Sequence, residues 1–469
     1  MQSKTKRLVS NTFIFMIGSI GSKFIQFFLV PVYTYALSTT QYGITELIFT
    51  VANLLMPLLS VSIADGLLRF GLDTKLKKEE VLKISLLFVM IGSAVSLLCV
   101  PLFRLNAILS QWLFYFLLIL NLRIYRDVFA IYLKVCDKNK FFALDSILYT
   151  FVLCISSVLF LVYYKWGIAG YFGGYICANL VSILFLLWAG RPFKNWPRGV
   201  NKTLAYQLLA YSAPMILNAL AWWIIQGTSR FALQGLVSVA AVGIYAVAAK
   251  IPTLISAFTG VFSQAWIISS VLEYDSEQER AFYTLTFRRY YVFLFIGSIG
   301  LTGIIKTFMK LYVSPDFFIA WKYVPLLLAS TVCVSVAAFC VGIYAAAKKN
   351  VNITLTTLTG AGLNILCCLL LIPWLGVMGA ALATFLSWLY IAGIRLWDIS
   401  RFFPFEVNYK RLILYMSLLL LQSVTVIYVP SVIMWGMSLL LLGILCFMER
   451  DLLLPLFQLV RRRIAHAFE

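Results

Sequence analysis

The chain has little of what a water-facing surface is built from. Charged residues make up 12% of its 469 positions, while 62% are hydrophobic and the mean hydropathy is +0.93. A soluble domain carries about a quarter charged residues, so this chain cannot cover a soluble core and reads as a membrane protein. Histidine is nearly absent, with His466 alone in the C-terminal tail. That excludes histidine metal sites and Ser-His or Cys-His catalytic pairs within the apolar body. The nine cysteines fall in or beside apolar runs without C-x-x-C spacing, and adjacent Cys367 and Cys368 read as packing residues, not a disulfide. Polar stretches are equally scarce: no loop exceeds about 20 residues, which leaves no room for a soluble catalytic domain. No metal, cofactor or enzymatic activity is expected. The first apolar run, near 12–37, is too long for the core of a cleavable signal and is expected to stay as a span.

Fourteen runs are long enough to span a bilayer, near 12–37, 44–70, 82–103, 111–133, 142–164, 168–189, 207–233, 240–270, 287–310, 323–346, 353–373, 376–398, 409–429 and 431–448. The net charge of +20 does not point to nucleic acid, because most basic residues sit in short loops between these runs. With the N-terminus in the cytoplasm, 26 Lys and Arg fall on the inner side and 4 on the outer: Arg104, Lys165, Lys310 and Lys322. Both termini are therefore expected in the cytoplasm.

Two short patterns recur. QYGITELIFTVANLL leads into the second span and AVGIYAVAAKIPTLI into the eighth, with Gly43 over Gly243. KWGIAGYFGG and WLGVMGAALA occupy equivalent tight turns, with Gly167 over Gly376 and Gly170 over Gly379. Six spans separate the units, so the repeats are parallel. The fold expected is an all-α polytopic membrane protein of about 14 helices: a six-helix lobe over 1–202, a second over 203–402, and a helix pair with a basic tail over 403–469.

The segments GSKFIQFFLVPVYTYALSTTQYG, LLMPLLSVSIADGLLRF, KNKFFAL and GIAGYFGG resemble bacterial polysaccharide-unit flippases. These belong to the multidrug/oligosaccharidyl-lipid/polysaccharide exporter superfamily, and the resemblance covers most of the chain. It implies the fold shared by multidrug-extrusion and lipid-II transporters. The substrate it implies is an undecaprenyl-pyrophosphate-linked oligosaccharide, turned from the inner to the outer leaflet of the plasma membrane. It also implies membrane lipid, a coupling ion (H+ or Na+) and a polysaccharide polymerase complex as partners. A multidrug/cation antiporter and a lipid-II flippase remain alternatives.

Eight basic residues lie inside spans, where each costs roughly 2.5–3.5 kcal/mol unless it meets a cavity or a partner. Lys23 shares a face with Ser19, Ser22 and Gln26 and reads either as lining a polar cavity or as the partner of Asp65. Asp65 and Arg69 are spaced for an i,i+4 ion pair. Arg123, Arg126 and Asp127 cluster in the fourth span, where one acid cannot neutralise two guanidiniums. Arg230 and Lys250 have no acid within a turn of their own helices. Lys23, Arg69, Arg123, Arg126, Arg230 and Lys250 form the expected cationic substrate site, and a surplus of deep cations suits a pyrophosphate. In related lipid-II flippases, cations on the first, second and eighth spans line the cavity; Lys23 and Lys250 match that placement, Arg69 less well. Glu46, Asp65, Asp127 and Asp145 are candidates for ion coupling or charge pairing. Lys306 and Arg395, near span ends, are expected to snorkel toward water. Pro31, Pro57, Pro214, Pro252 and Pro325 are expected to kink spans. A Leu-rich groove beside the last two spans is the expected place for the substrate's tail.

Overall fold

The computed structural model describes residues 21, 23–194, 196–197, 199–274, 279–403, 405–429 and 431–452. The expected stripe partners Ser19 and Ser22 lie outside these residues, as do the N-terminal basic cluster and His466. The described chain is helical from end to end: α1 (23–36), α2 (Thr39–Leu59), α3 (Ile63–Gly71), α4 (Lys78–Leu98), the short α5 (Val100–Phe103) and α6 (Ala107–Gln111), α7 (Leu113–Val135), α8 (Asn139–Val158) and α9 (Ile168–Gly190). There follow α10 (Lys202–Leu236), α11 (Val239–Lys250), α12 (Thr253–Leu272), α13 (Glu279–Tyr312), α14 (Val324–Ala346), α15 (Asn350–Leu375), α16 (Val377–Ser400), α17 (Tyr409–Tyr428) and α18 (Ser431–Met448).

Eleven of these, with α8 counted through its π-helical extension to Tyr163, are long and apolar enough to cross a membrane. The other three expected spans fall on α1, on the short α18, and on α7, which carries Arg123, Arg126, Asp127 and Lys134. The protein is a multi-pass membrane protein. A few of its helices open on side-chain caps: Ser38 and Gln41 form a reciprocal capping box at α2, and Asn201 and Asn408 cap α10 and α17.

The second and eighth spans are each broken. Six residues after Pro57's turn begins to lose its amide partner, α2 has given way to α3 through Val61 and Ser62, both left-handed at φ 51° and 48°. The Ser62 amide returns to the Pro57 carbonyl at 3.0 Å. Left-handed backbone at a β-branched residue costs about 1–3 kcal/mol, so this break is held by its surroundings. The eighth span breaks at Ile251–Pro252, with Pro252 capping α12. Pro31, Pro57 and Pro214 lie inside helices, but Pro325 opens the first turn of α14, where no amide bond is lost, so the kink expected there is absent.

The chain packs as two compact units, 1–250 and 251–469. In the first, α2 meets α11 at reciprocal glycines. A Cβ on Gly43 would strike the Val239 carbonyl and stand 3.1 Å from the Gly243 nitrogen. A Cβ on Gly243 would strike the Thr39 carbonyl and stand 3.0 Å from the Gly43 nitrogen. Residues related by 200 positions thus exchange identical contacts, as at an isologous interface. The turn glycines agree as well: Gly167 and Gly376 have φ/ψ of 57°/−133° and 55°/−128°. In the second unit α14 is buried over most of its length, against α12, α13, α16 and α17. Gln422 on α17 donates to the Ile299 carbonyl of α13 at 3.0 Å and to Ser438 of α18 at 2.9 Å, tying the last helix pair to α13.

The glycine contact generates a prediction. Gly243→Ala and Gly43→Ala each force two helix backbones apart, and overpacking of this kind costs about 1–3 kcal/mol. Each variant should lower monodisperse protein after detergent extraction, and Gly243→Val should abolish it. Gly235→Ala, on α10 where a Cβ meets nothing within 4 Å, should extract like the parent.

Candidate functional site: buried ion clusters of the first unit

The glycine contact decides where charge meets charge. Glu46 lies three residues after Gly43 on α2, and Lys250 seven after Gly243 on α11, so both continue the touching faces. The third partner comes from α10, fixed on α2 by the Trp223 indole donating to the Thr50 carbonyl at 2.7 Å. Arg230 follows Trp223 by seven residues, two turns along the same face. The Glu46 carboxylate accepts Lys250 Nζ at 3.0 Å on Oε1, and Arg230 Nη2 lies 3.5 Å from Oε2. Arg230 Nη1 also donates to the Gln226 carbonyl at 2.9 Å, while its Nε is buried with no hydrogen-bond partner.

Exposure within this cluster is unequal. The Glu46 side chain is 9% exposed, Arg230 18% and Lys250 34%. The acid is covered and the cations cover it, so the accessible surface of the cluster is positive. Its three charges sum to one positive.

A second cluster closes on itself. Arg126 on α7 donates to Asp145 of α8 at 2.7 Å and to Ser182 of α9 at 2.6 Å, and Ser182 donates in turn to Asp145. The guanidinium lies over the Tyr149 ring, 4.1 Å from its centroid. Asp145 is 1% exposed. This answers the imbalance on α7: the second arginine finds its acid on the next helix. Arg123 remains, 5.7 Å above the Phe49 ring and without an ion pair among the described residues.

The remaining candidates stand differently. Lys23, Asp65 and Arg69 are exposed; no ion pair within 4 Å joins Lys23 to Asp65 or Asp65 to Arg69. The i,i+4 pair expected on α3 is therefore not formed. Asp127 lies in electrostatic reach of Arg126, Asp65, Lys134 and Arg123 without closing an ion pair. Glu46 and Asp145, both candidates for ion coupling or charge pairing, anchor the two clusters.

Two sites in the second unit depart from expectation. Arg395 does not snorkel: it is 4% exposed and donates to Thr356 Oγ1 (3.0 Å), Thr357 Oγ1 (2.8 Å) and the Ala337 and Ile353 carbonyls (3.0 and 3.1 Å). Hydroxyls and carbonyls, not an acid, hold this charge and staple α14, α15 and α16. Glu449 was not anticipated. It is fully buried, accepts Arg288 of α13 at 2.7 Å and Arg411 of α17 at 3.0 Å, and takes a hydrogen bond from Tyr415 at 2.7 Å. Glu449 directly follows the last apolar run, and nothing in its sequence neighbourhood signals burial. Lys306 Nζ lies over the Trp321 ring, 5.1 Å from its centroid. Beside the last two spans the described residues form an apolar cleft between α14, α16 and α17, which α18 does not line.

The Arg126 cluster generates a stability prediction. Arg126→Ala strands a buried carboxylate, a loss of about 3–5 kcal/mol. Membrane abundance should fall sharply, and the pair Arg126→Met with Asp145→Leu should recover most of it. Normal abundance of Arg126→Ala with lost export would instead place Arg126 on the substrate.

Comparison with known proteins follows the same fold. A family described as "Polysaccharide biosynthesis protein" matches residues 8–268. No curated protein matches the chain. Among solved structures, the lipid II flippase MurJ in an inward closed conformation aligns with a TM-score of 0.70 at 12% identity, covering 95% of this chain and 99% of its own. An inward-facing multidrug resistance MATE family transporter of the MOP superfamily aligns at 0.63 and 16%, covering 83% and 94%. A MOP superfamily transporter from Pyrococcus furiosus, described by the reverse polarity of its binding pocket, aligns at 0.60 and 14%, covering 83% and 95%. These likenesses establish the fold. The family match spans more than half of the chain, and with the helical membrane architecture it leads to one conclusion: the chain belongs to the polysaccharide biosynthesis protein family, on a MurJ- and MATE-like fold.

Proposed function

We propose that this protein flips an undecaprenyl-pyrophosphate-linked oligosaccharide from the inner to the outer leaflet of the plasma membrane by alternating access. The observation that carries the reading is the Glu46 cluster, where a covered carboxylate holds two more accessible cations and leaves a net positive face. A pyrophosphate brings more than one negative charge, so it outcompetes a single carboxylate for Arg230 and Lys250, and a guanidinium grips it through paired N–H donors. Glu46 then acts as an internal counter-ion: it holds both cations in position before the headgroup arrives and reclaims them after it leaves. Lys23, Arg69 and Arg123 extend the positive surface, and the sugars add shape-dependent hydrogen bonds. The breaks at Ser60–Ser62 and Ile251–Pro252 supply bending points, as discontinuous helices do in other transporters.

A cation antiporter of the same superfamily needs an acid open to its substrate. Glu46 and Asp145 are instead covered by their own cations, and the one exposed candidate acid, Asp65, lies four residues from the exposed Arg69, which argues against that reading. A pocket of reversed polarity has been described for the Pyrococcus furiosus transporter, so pocket polarity varies on this fold. Lipid II shares the pyrophosphate, and its flipping would use the same residues; the lipid-linked intermediates that accumulate separate the two. On depletion of the protein, an oligosaccharide-pyrophosphate lipid should accumulate in the cytoplasmic leaflet. Accumulation of lipid II would transfer the reading to that substrate.

The charge series at Arg230 tests recognition. Export normalised to membrane abundance should fall in the order Arg, Lys, Gln, Glu, with Arg230→Glu inactive, and Lys250→Ala should lose most activity. Glu46→Gln should slow turnover while retaining more headgroup on purified protein, because the competitor that releases it is gone. Equal export across all four residues at 230 would remove Arg230 from the substrate path. For topology, single-cysteine labelling of intact cells should reach 234–240 from outside and leave 71–83 and 191–202 unlabelled.

A further inference from the structure

The second unit contains a charged cleft that the transport reading does not use. It has a volume of about 720 Å³ and lies between α13, at Phe287, Arg288 and Tyr291, and the segment from Glu406 to Arg411 that opens α17. That segment is fixed to α13 twice: Arg280 pairs with Glu406 at 2.7 Å, and the Glu406 amide donates to Thr284 at 3.0 Å. Arg288 and Arg411 converge on the single buried carboxylate of Glu449, yet their side chains remain 32% and 35% exposed. One acid for two guanidiniums leaves a positive charge over. Lys410 lines the same cleft and has no ion pair among the described residues, so a second positive charge stands there.

Tyr409 lines this cleft and also a neighbouring one of opposite character. The second is an apolar groove of about 300 Å³ between α14, α16 and α17, with Val336, Leu396, Leu412 and Met416 among its walls. Its rim residues Ile413 and Leu389 are 64% and 40% exposed. Gly393 forms part of the wall, and a Cβ there would meet nothing within 4 Å, so the groove is open at that point. Basic residues in the first turn of α17 followed at once by an apolar groove repeat the order of an anionic headgroup and its chain.

We propose that this cleft and groove together bind an anionic diacyl phospholipid of the surrounding membrane, its phosphodiester against Arg288, Lys410 and Arg411 and one acyl chain along Leu412 and Met416. A soluble anion has no use for the groove. A zwitterionic lipid brings its own cation against Lys410. Basic pockets between transmembrane helices select anionic headgroups for these reasons. The bound lipid braces α17 against α13, α14 and α16, so occupancy stabilises the folded protein.

The test uses the full-length protein, purified, delipidated and offered phosphatidylglycerol or phosphatidylcholine of matched chains, with retained lipid read by native mass spectrometry and unfolding by thermal shift. One phosphatidylglycerol should be retained in preference to phosphatidylcholine and should raise the unfolding midpoint. Lys410→Gln should cut that preference about fivefold, the effect of removing one basic group near a charged lipid surface. Gly393→Leu should abolish retention by filling the groove, with Gly393→Ala, retaining most of it, as the folding control. Equal retention of both lipids, or retention unchanged in Lys410→Gln and Gly393→Leu, would overturn the proposal. So would binding of glycerophosphoglycerol as tight as that of the whole lipid, which would make this a site for soluble anions. Displacement of phosphatidylglycerol by an equimolar polyprenyl phosphate would also overturn it, assigning the groove to the transport substrate's tail.

Discussion

The approach of α2 to α11 at Gly43 and Gly243 is the constraint on which the first unit's charge arrangement rests. With any side chain at either position the two backbones separate, and the short reach from Glu46 to Lys250 opens with them. Small residues are the usual means by which membrane helices come this close, because no hydrophobic gain between helices drives association in lipid. Here the close approach serves electrostatics as well as packing. Within the aligned repeats Glu46 stands opposite Ala246 and Lys250 opposite Thr50, so each repeat brings one charge and the other brings none at that place. The backbones are nearly symmetric at the contact, and the charges are not.

Three buried acids show how a membrane protein can hold more cations than anions without unfolding. Glu46, Asp145 and Glu449 each sit beneath arginine or lysine side chains whose outer faces stay accessible. The carboxylate removes the cost of bringing the cation into the bundle, and the cation's remaining donors stay available. Where one acid faces one arginine, as at Asp145, and a serine completes the hydrogen bonding, the charges cancel and the cluster is a brace. Where one acid faces two cations, as at Glu46 and Glu449, a positive charge remains for an anion. Arg395 is a third solution, held by threonine hydroxyls and carbonyl oxygens alone.

Much of this was legible in the sequence. Eleven of the fourteen apolar runs match helices long and apolar enough to span, because twenty such residues have few other uses, and the glycine-bearing turns at 167 and 376 share one backbone conformation. The cations were visible too, since each is anomalous inside an apolar run. Their partners were not. Arg126 finds Asp145 on the following helix and Arg230 finds Glu46 nearly 200 residues away, distances that helical spacing cannot report. The i,i+4 rule named Asp65 and Arg69, which are both exposed and do not pair. A signal for the Glu46–Lys250 pair did exist: once Gly43 is set over Gly243, an acid three residues after one and a lysine seven after the other face each other wherever the helices touch.

An internal counter-ion also explains why a transporter for a strongly anionic headgroup would keep an acid at the centre of its cationic surface. Arg230 and Lys250 alone would be two like charges held close in a medium of low dielectric, which is costly in the empty protein. Glu46 offsets that cost, and on the proposed reading it also limits how tightly an anion is held, because the carboxylate beside the cations competes for them. Affinity that depends on displacing an attached competitor is lower, and release is correspondingly easier. For a carrier that must let go on the far side of the membrane, a moderated grip serves turnover better than a tight one.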